Sequence, residues 1–174
     1  MKITYTLFAV VIAAIGFTTN AKAQSAVTST ATATLIIPIS IEETSSMNFG
    51  SLAASAVEGT AVLTPAGGLT ATPGVTIAAG GAPVTPAAFT VTGEGTNGFD
   101  LTFPASVALT SPAIGAVPLA LEITCDASTE VSSSQALVGG TKVLNFGGTL
   151  TIPANAVAGT YTNDANFTVS VQYN

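Results

Sequence analysis

No histidine, arginine or tryptophan occurs in this chain, cysteine occurs once, at Cys125, and charged side chains make up 7% of it. Without histidine, neither a Ser-His nor a Cys-His nucleophile pair can be built. The common zinc sites, which draw on Cys and His, are excluded on the same ground. One cysteine cannot close an intramolecular disulfide. Cys125 shares strand parity with Leu119, Leu121 and Ile123 and reads as a small buried apolar residue. A reactive or interchain thiol is the alternative in an exported protein. No Gly-rich loop followed by Lys and Ser/Thr is there to cradle a phosphate. The paired carboxylates Glu42 and Glu43 are adjacent, so on a strand they point to opposite faces and cannot easily act as an acid/base couple. No catalytic residue, cofactor or metal ligand is expected, and the chain reads as non-enzymatic.

Charge of one sign is also scarce. Lys2 and Lys22 lie in a segment with the three parts of an export signal. Lys2 forms the positive start, Leu7 to Phe17 the apolar stretch, and Ala21-Lys22-Ala23 the small-x-small cleavage site. Residues 1–23 are therefore expected to be a signal peptide, too short in its apolar part to span a bilayer. The mature chain would begin at Gln24, which is not the cysteine that a lipid anchor needs. It would carry Lys142 against nine acidic residues, a net charge of −8. Such a protein lacks the basic footprint that nucleic acid or an anionic membrane requires. No membrane insertion is expected once the signal is gone. The expected location is secreted, extracellular or at the cell surface, with the periplasm in transit.

What the chain does have is alternation. From Ala31 to Ile41 every odd position is apolar, namely Ala31, Ala33, Leu35, Ile37, Ile39 and Ile41, while Thr28, Thr30, Thr32 and Thr34 fill even positions. The last residues repeat this, with Phe167, Val169, Val171 and Tyr173 against Thr168, Ser170 and Gln172. A period of two means one buried and one wet face of a β-strand. Gly, Pro, Ser and Thr punctuate the rest, and no stretch reads as helix. Strands are expected at 28–42, 45–52, 59–64, 74–78, 86–92, 98–103, 106–110, 118–124, 135–138, 142–146, 148–152 and 160–173. Residues 24–174 make one all-β domain, an antiparallel β-sandwich.

Three local features carry further expectations. Residues 88–92 and 98–103 look like a hairpin turning through Gly93 to Gly98, and this turn explains Glu94 and Asp100 better than a calcium loop does. Pro38, lacking an N–H, should bend the first strand or move it to another sheet. The echo between Met47-Asn48-Phe49-Gly50 and Leu144-Asn145-Phe146-Gly147 suggests strand ends where Phe plugs the core and Gly turns. Asp126 and Glu130 read as loop solvation. Asn166-Phe167-Thr168 fits a glycosylation pattern inside the expected last strand.

The ordered set ATATLIIPISI (31–41), MNFGSL (47–52), FTVTGEGTNGFDLTFP (89–104), GGTLTIPA (147–154) and AGTYTNDANFTVSVQYN (158–174) resembles the secreted bacterial domain-of-unknown-function 4402 family. More distantly, Asn48-Phe49-Gly50 and the closing strand with penultimate Tyr173 are similar to chaperone–usher fimbrial subunits and to spore-coat-like secreted pilins. That likeness implies an incomplete immunoglobulin-like, pilin-like sandwich whose groove takes an N-terminal extension of the next subunit. It also implies a periplasmic chaperone as partner. Two departures stand out: the usual pilin disulfide is impossible, and Gly159 lies further from the C-terminus than in those subunits.

Residues 24–34 are uncharged, Thr-rich and alternating, an aggregation hazard as a free edge and normally guarded by Lys, Pro or a bulge. They pair either within their own sheet or with another copy by strand exchange. Ala31, Ala33, Leu35, Ile37, Ile39, Phe167, Val169, Val171 and Tyr173 are the candidate assembly strands. The leading expectation is a structural subunit of a bacterial surface filament, fimbria or coat. The other is a monomeric adhesin-like module presenting loops to a surface ligand, though Tyr161 and Tyr173 alone make a poor aromatic platform for a glycan. If Val169 faces inward, Val169→Asp buries an unpaired charge and should destabilise the fold strongly. Chemical denaturation checks this, and a variant of unchanged stability would reverse the assigned face.

Overall fold

The computed structural model describes residues 24–128, 131–163 and 167–174. Residues 1–23, where the export signal is expected, lie outside them, as do Glu130 and Asn166. The chain divides into two units, one ending at Leu35 and the other running from Ile36 to Asn174. In the first, no described residue belongs to a strand. The second is an antiparallel β-sandwich without helix among its described residues. Its strands are β1 (Ser40–Ser45), β2 (Leu52–Ala54), β3 (Gly59–Leu63), β4 (Leu69–Ala71), β5 (Val75–Ile77) and β6 (Ala87–Thr92). The chain continues with β7 (Gly98–Thr102), β8 (Ser106–Leu109), β9 (Leu119–Cys125), β10 (Ser132–Ala136), β11 (Thr141–Ile152) and β12 (Ser170–Tyr173).

β11 organises the larger sheet. One of its edges pairs with β6 over Thr141–Phe146 and then with β3 over Gly148–Ile152. Its other edge pairs with β9 over Phe146–Thr151, and β8 follows β9. β1 and β4 close the far sides, against β6 and β3. The handover from β6 to β3 falls at Gly147, where a Cβ would press on the Leu63 carbonyl oxygen and come within 2.7 Å of the Thr64 backbone. Only glycine lets one strand edge serve two neighbours there. Where β9 stops, Asp126 takes over its ladder. Its amide donates to the Asn145 carbonyl at 3.0 Å, while its carboxylate accepts from the Asn145 amide at 3.0 Å and side-chain Nδ2 at 2.7 Å. Asp126 is thus a ladder end rather than mere loop solvation.

The smaller sheet runs β10-β7-β12, and β2 pairs with β5 separately. Phe99 and Leu101 of β7 are fully buried, as are Val91, Leu144 and Phe146 of the large sheet. Four rings join the layers edge-to-face. Phe146 lies 5.5 Å from Phe89, 5.2 Å from Phe103 and 5.6 Å from Phe167 between centroids. Each such pair adds about 0.5–1.5 kcal/mol beyond the area it buries. β9 alternates without a fault, burying Leu119, Leu121, Ile123 and Cys125 as its parity predicts.

Several expected strands are shorter, for one reason: a ladder ends where its partner ends. β1 starts at Ser40 rather than 28 because Ser40 meets Thr92, the last residue of β6. Pro38 therefore precedes the strand and bends nothing within it. β1 ends at Ser45 after an irregularity following Glu43, so 45–52 contributes only the last residue of β1, the Asn48–Thr85 bridge and the first residue of β2. β12 covers Ser170–Tyr173 instead of 160–173 because Ser170 meets Thr102, where β7 stops. Segments 142–146 and 148–152 are one strand, β10 begins at Ser132 instead of 135, and β4 was not foreseen.

The expected hairpin of 88–92 and 98–103 does not form. β6 and β7 lie in different sheets, and Gly93–Asn97 is an arch between them. It is held to the next loop by Gly93 N–H to Gly140 O (2.9 Å), Gly140 N–H to Gly95 O (2.6 Å) and Leu137 N–H to Asn97 O (3.1 Å). Both strands have core faces, and a tight hairpin would have kept them in one layer. The Phe-Gly echo holds at Phe49 and Gly50, whose φ is 70°, but Phe146-Gly147 lies within β11 and turns nothing.

Phe146 has no exposed surface. Phe146→Ala should cost about 3–5 kcal/mol, read from urea unfolding, and a loss below about 1 kcal/mol would show that the ring cluster relaxes freely. Burial pushes the Cys125 thiol pKa up; backbone hydrogen bonds from Ala127 and Ser128 oppose this and the Asp126 carboxylate adds to it. The folded state thus keeps the proton to higher pH than the unfolded chain does. This group's contribution is complete below the ordinary thiol range and is lost as pH rises through it. Iodoacetamide at about pH 8 should label Cys125 slowly until urea unfolds the chain, because only the thiolate attacks. Equal labelling rates in both states would contradict the buried thiol.

Candidate assembly groove

β1 and β12 belong to different sheets, and each has one strand partner among the described residues, β6 and β7 respectively. At one end their neighbourhoods meet. The Tyr173 hydroxyl donates to the Ile37 carbonyl at 2.8 Å and accepts from the Glu94 amide at 2.5 Å. The Glu94 carboxylate accepts from the Ile37 amide at 3.1 Å. Both backbone groups of Ile37, which might otherwise have extended a ladder, are thus held by the Gly93–Asn97 arch and the C-terminal strand. A substituent on Gly93 would strike the Tyr173 hydroxyl, so the glycine makes room for this contact.

Away from that end the layers part and leave an open groove of about 820 Å³. Its floor is the inward face of three strands: Val107 and Leu109 of β8, Leu119 and Leu121 of β9, and Leu150 and Ile152 of β11. One wall is Met47–Ala54, the other Ala156–Asn163, with Phe167 beyond it. Among the described residues no charged side chain lines it. Asn48 and Thr85 exchange backbone bonds of 2.8 and 2.9 Å, anchoring the first wall. Thr110 and Thr162 do the same at 2.7 and 2.8 Å for the second, and the Tyr161 hydroxyl donates to the Val157 carbonyl at 2.9 Å. The Asn155 amide donates to the Ser55 carbonyl at 2.7 Å and links the segments flanking both walls. A smaller opening of about 260 Å³ shares Met47, Asn163 and Phe167 with the groove and adds Glu43 and Phe89.

The sequence-predicted assembly residues are distributed unevenly. Phe167, Val169, Val171 and Tyr173 are all half-buried and pack against the core, so the alternation holds even upstream of β12. Ile39 packs against the same core, whereas Ile36 and Ile37 are exposed at 51% and 59%. Ala31, Ala33 and Leu35 belong to no strand. The groove floor went unnoticed in the sequence because its residues are ordinary alternating apolar positions. The sequence places Glu94 in a turn, and nothing in Gly-Glu-Gly announces its bond to Ile37.

Little else offers chemistry. Glu42 and Glu43 are exposed on β1, and Asp100 accepts a bond from Ser134 at 2.7 Å. Among the described residues no three His, Cys, Asp or Glu side chains cluster as a metal site would require, and no helix is long and apolar enough to cross a membrane.

No curated protein and no solved structure matches this chain. The family model described as "Domain of unknown function (DUF4402)" matches residues 39–173, which start one residue before β1 and end with β12. The match takes in both groove walls and the floor and leaves residues 24–38 outside. The sandwich with its parted layers is therefore the unit that the family model describes, and this chain belongs to the DUF4402 family.

Proposed function

We propose that the protein is a non-enzymatic, exported structural subunit of a bacterial surface filament, fimbria or coat, whose copies join by β-strand donation. The observation that carries this reading is the open groove between the layers, floored by aliphatic side chains and without a charged side chain among its described residues. A strand laid between the parted layers supplies main-chain hydrogen bonds and alternate side chains together.

The chain contains a segment of the right kind. Gln24 to Ile39 has no charged residue and alternates from Ala31 onward. Burying a leucine completely is worth about 1.5–3 kcal/mol, so Leu35 outweighs Ala31 and Ala33 as the anchor of a donated strand. The export signal expected at residues 1–23 and the distant likeness to fimbrial subunits support the same reading. A periplasmic chaperone that covers the groove before assembly is the partner it calls for.

Light scattering on a sizing column should separate a chain of residues 24–174 from one starting at Ile36, which lacks the Leu35 anchor. The longer chain is expected to form a ladder of oligomers and the shorter one monomers. Two equally monomeric, stable proteins would remove strand donation and leave a single binding module.

A further inference from the structure

We infer that Asn97 is a site of self-modification, at which the side-chain amide is lost through a cyclic imide formed with the Gly98 nitrogen. The arch between the two sheets thereby gains a carboxylate and, in part of the molecules, a β-linked backbone. Water is the co-reactant, so the step needs neither an enzyme nor a second copy and is independent of strand donation.

The sequence singles out this position. Asparagine is among the chemically labile side chains, and Asn-Gly occurs once, at residues 97 and 98. Asn20, Asn48, Asn145, Asn155, Asn163 and Asn166 each precede a residue with a Cβ. A Cβ there crowds the approach of the following nitrogen to the asparagine Cγ, whereas glycine has none and turns most freely. The bonds balance without an oxidant. The Gly98 nitrogen attacks Cγ of Asn97, its proton leaves with the amide group as ammonia, and the imide closes. Water then opens the imide at either carbonyl. One opening leaves aspartate, and the other leaves isoaspartate, whose main chain runs through Cγ.

The structure leaves both reacting groups unheld. Asn97 is exposed, and among the described residues no hydrogen bond holds its side-chain amide. Asn145 differs, with its Nδ2 on the Asp126 carboxylate at 2.7 Å, and so does Asn48, whose Oδ1 accepts from the Gly50 amide at 2.7 Å. The Asn97 backbone is fixed, its amide donating to the Glu94 carbonyl at 3.0 Å and its carbonyl accepting from the Leu137 amide at 3.1 Å. That second bond makes Gly98 and Ala136 a non-hydrogen-bonded pair, so the Gly98 N–H points away from β10. On the β12 side the ladder stops at Phe99 and Tyr173. The bond beyond it runs from the Asn174 amide to the Gly98 carbonyl at 3.4 Å and leaves the Gly98 nitrogen outside both ladders. Either product acts on what the arch holds. The new carboxylate joins that of Glu94 in one turn, and isoaspartate lengthens the backbone where Leu137 is bonded. The same turn holds Ile37 through the Glu94 carboxylate at 3.1 Å.

The experiment incubates the folded protein in mildly alkaline buffer and maps its peptides by mass spectrometry, with electron-based fragmentation to separate aspartate from isoaspartate. The Asn97 peptide is expected to exchange amide for acid severalfold faster than any other asparagine peptide, with isoaspartate in excess. Asn97→Gln should abolish the exchange there, because the larger imide ring forms far more slowly. Gly98→Ala, whose added Cβ meets the flexible Asn174 side chain, should slow it severalfold. An intact Asn97 after an incubation that converts it in the urea-unfolded chain overturns the site, as does faster loss at another asparagine. Amide hydrogen exchange by NMR then compares fresh with converted protein. The Leu137 and Ile37 amides are expected to lose protection severalfold on conversion, while that of Leu121 in β9 keeps its own. Unchanged protection at both, or an equal loss at Leu121, overturns the effect on the arch.

Discussion

One strand edge serving two neighbours is the constraint from which this sandwich is built. β11 hands its edge from β6 to β3 at Gly147, and the absence of a side chain there lets the Leu63–Thr64 backbone pass close by. Phe146, the residue before the handover, consequently sits where β6, β9 and β11 come together. Its three edge-to-face contacts reach Phe89 in its own sheet and Phe103 and Phe167 beside the smaller one. A chain with 6% aromatic residues has few rings to place, and it concentrates four of its eight Phe in one cluster. That concentration ties the layers together at mid-height.

The groove follows from the same economy. Beyond Phe167 the aliphatic floor residues of β8, β9 and β11 stay buried in or packed against the core, and Phe49 and Tyr161 stand in the walls of the opening above them. The walls cannot simply collapse onto them. Asn48 is held outward to Thr85, and Thr162 to Thr110, each by a reciprocal backbone pair. Collapse would break those bonds in exchange for apolar contact, and buried backbone groups left unpaired cost more than a few methyl contacts return. The opening is a consequence of where the backbone bonds are made.

The sequence made the fold class and the inward faces legible, because alternation reports burial directly. β9 and the Phe167–Tyr173 stretch keep the parity that their residues imply. Strand length was not legible. Alternation in Ala31–Ile39 and in the 160s continues past the ends of β6 and β7, and pairing depends on a partner that local sequence does not name. The arch at Gly93–Asn97 misled for a related reason. Glycine and asparagine permit a hairpin turn, but they permit an arch equally, and the choice is made by contacts to Gly140 and Leu137 far along the chain. Asp126 and Glu94 were hidden in the same way, since each acts on a backbone group distant in sequence.

Edge protection is the test that such a protein has to pass before any assembly. Lysine, the usual guard of an exposed edge, is represented in the described residues by Lys142 alone, in the first part of β11, which pairs with β6 on one edge before β9 joins the other at Phe146. β1 carries other guards, the adjacent Glu42 and Glu43 and the irregularity that follows them. β12 has no charged residue at all, and its Tyr173 hydroxyl is committed to the backbone of Ile37 and Glu94. β4, β8 and β10 are edge strands without charge as well, and β12 is the one whose chain continues upstream toward the groove. Nonspecific pairing there is restrained by geometry, because a partner must fit between two layers instead of adding to an open side. Protection by enclosure limits any partner to a strand small enough to enter, which is a narrower demand than an open edge makes.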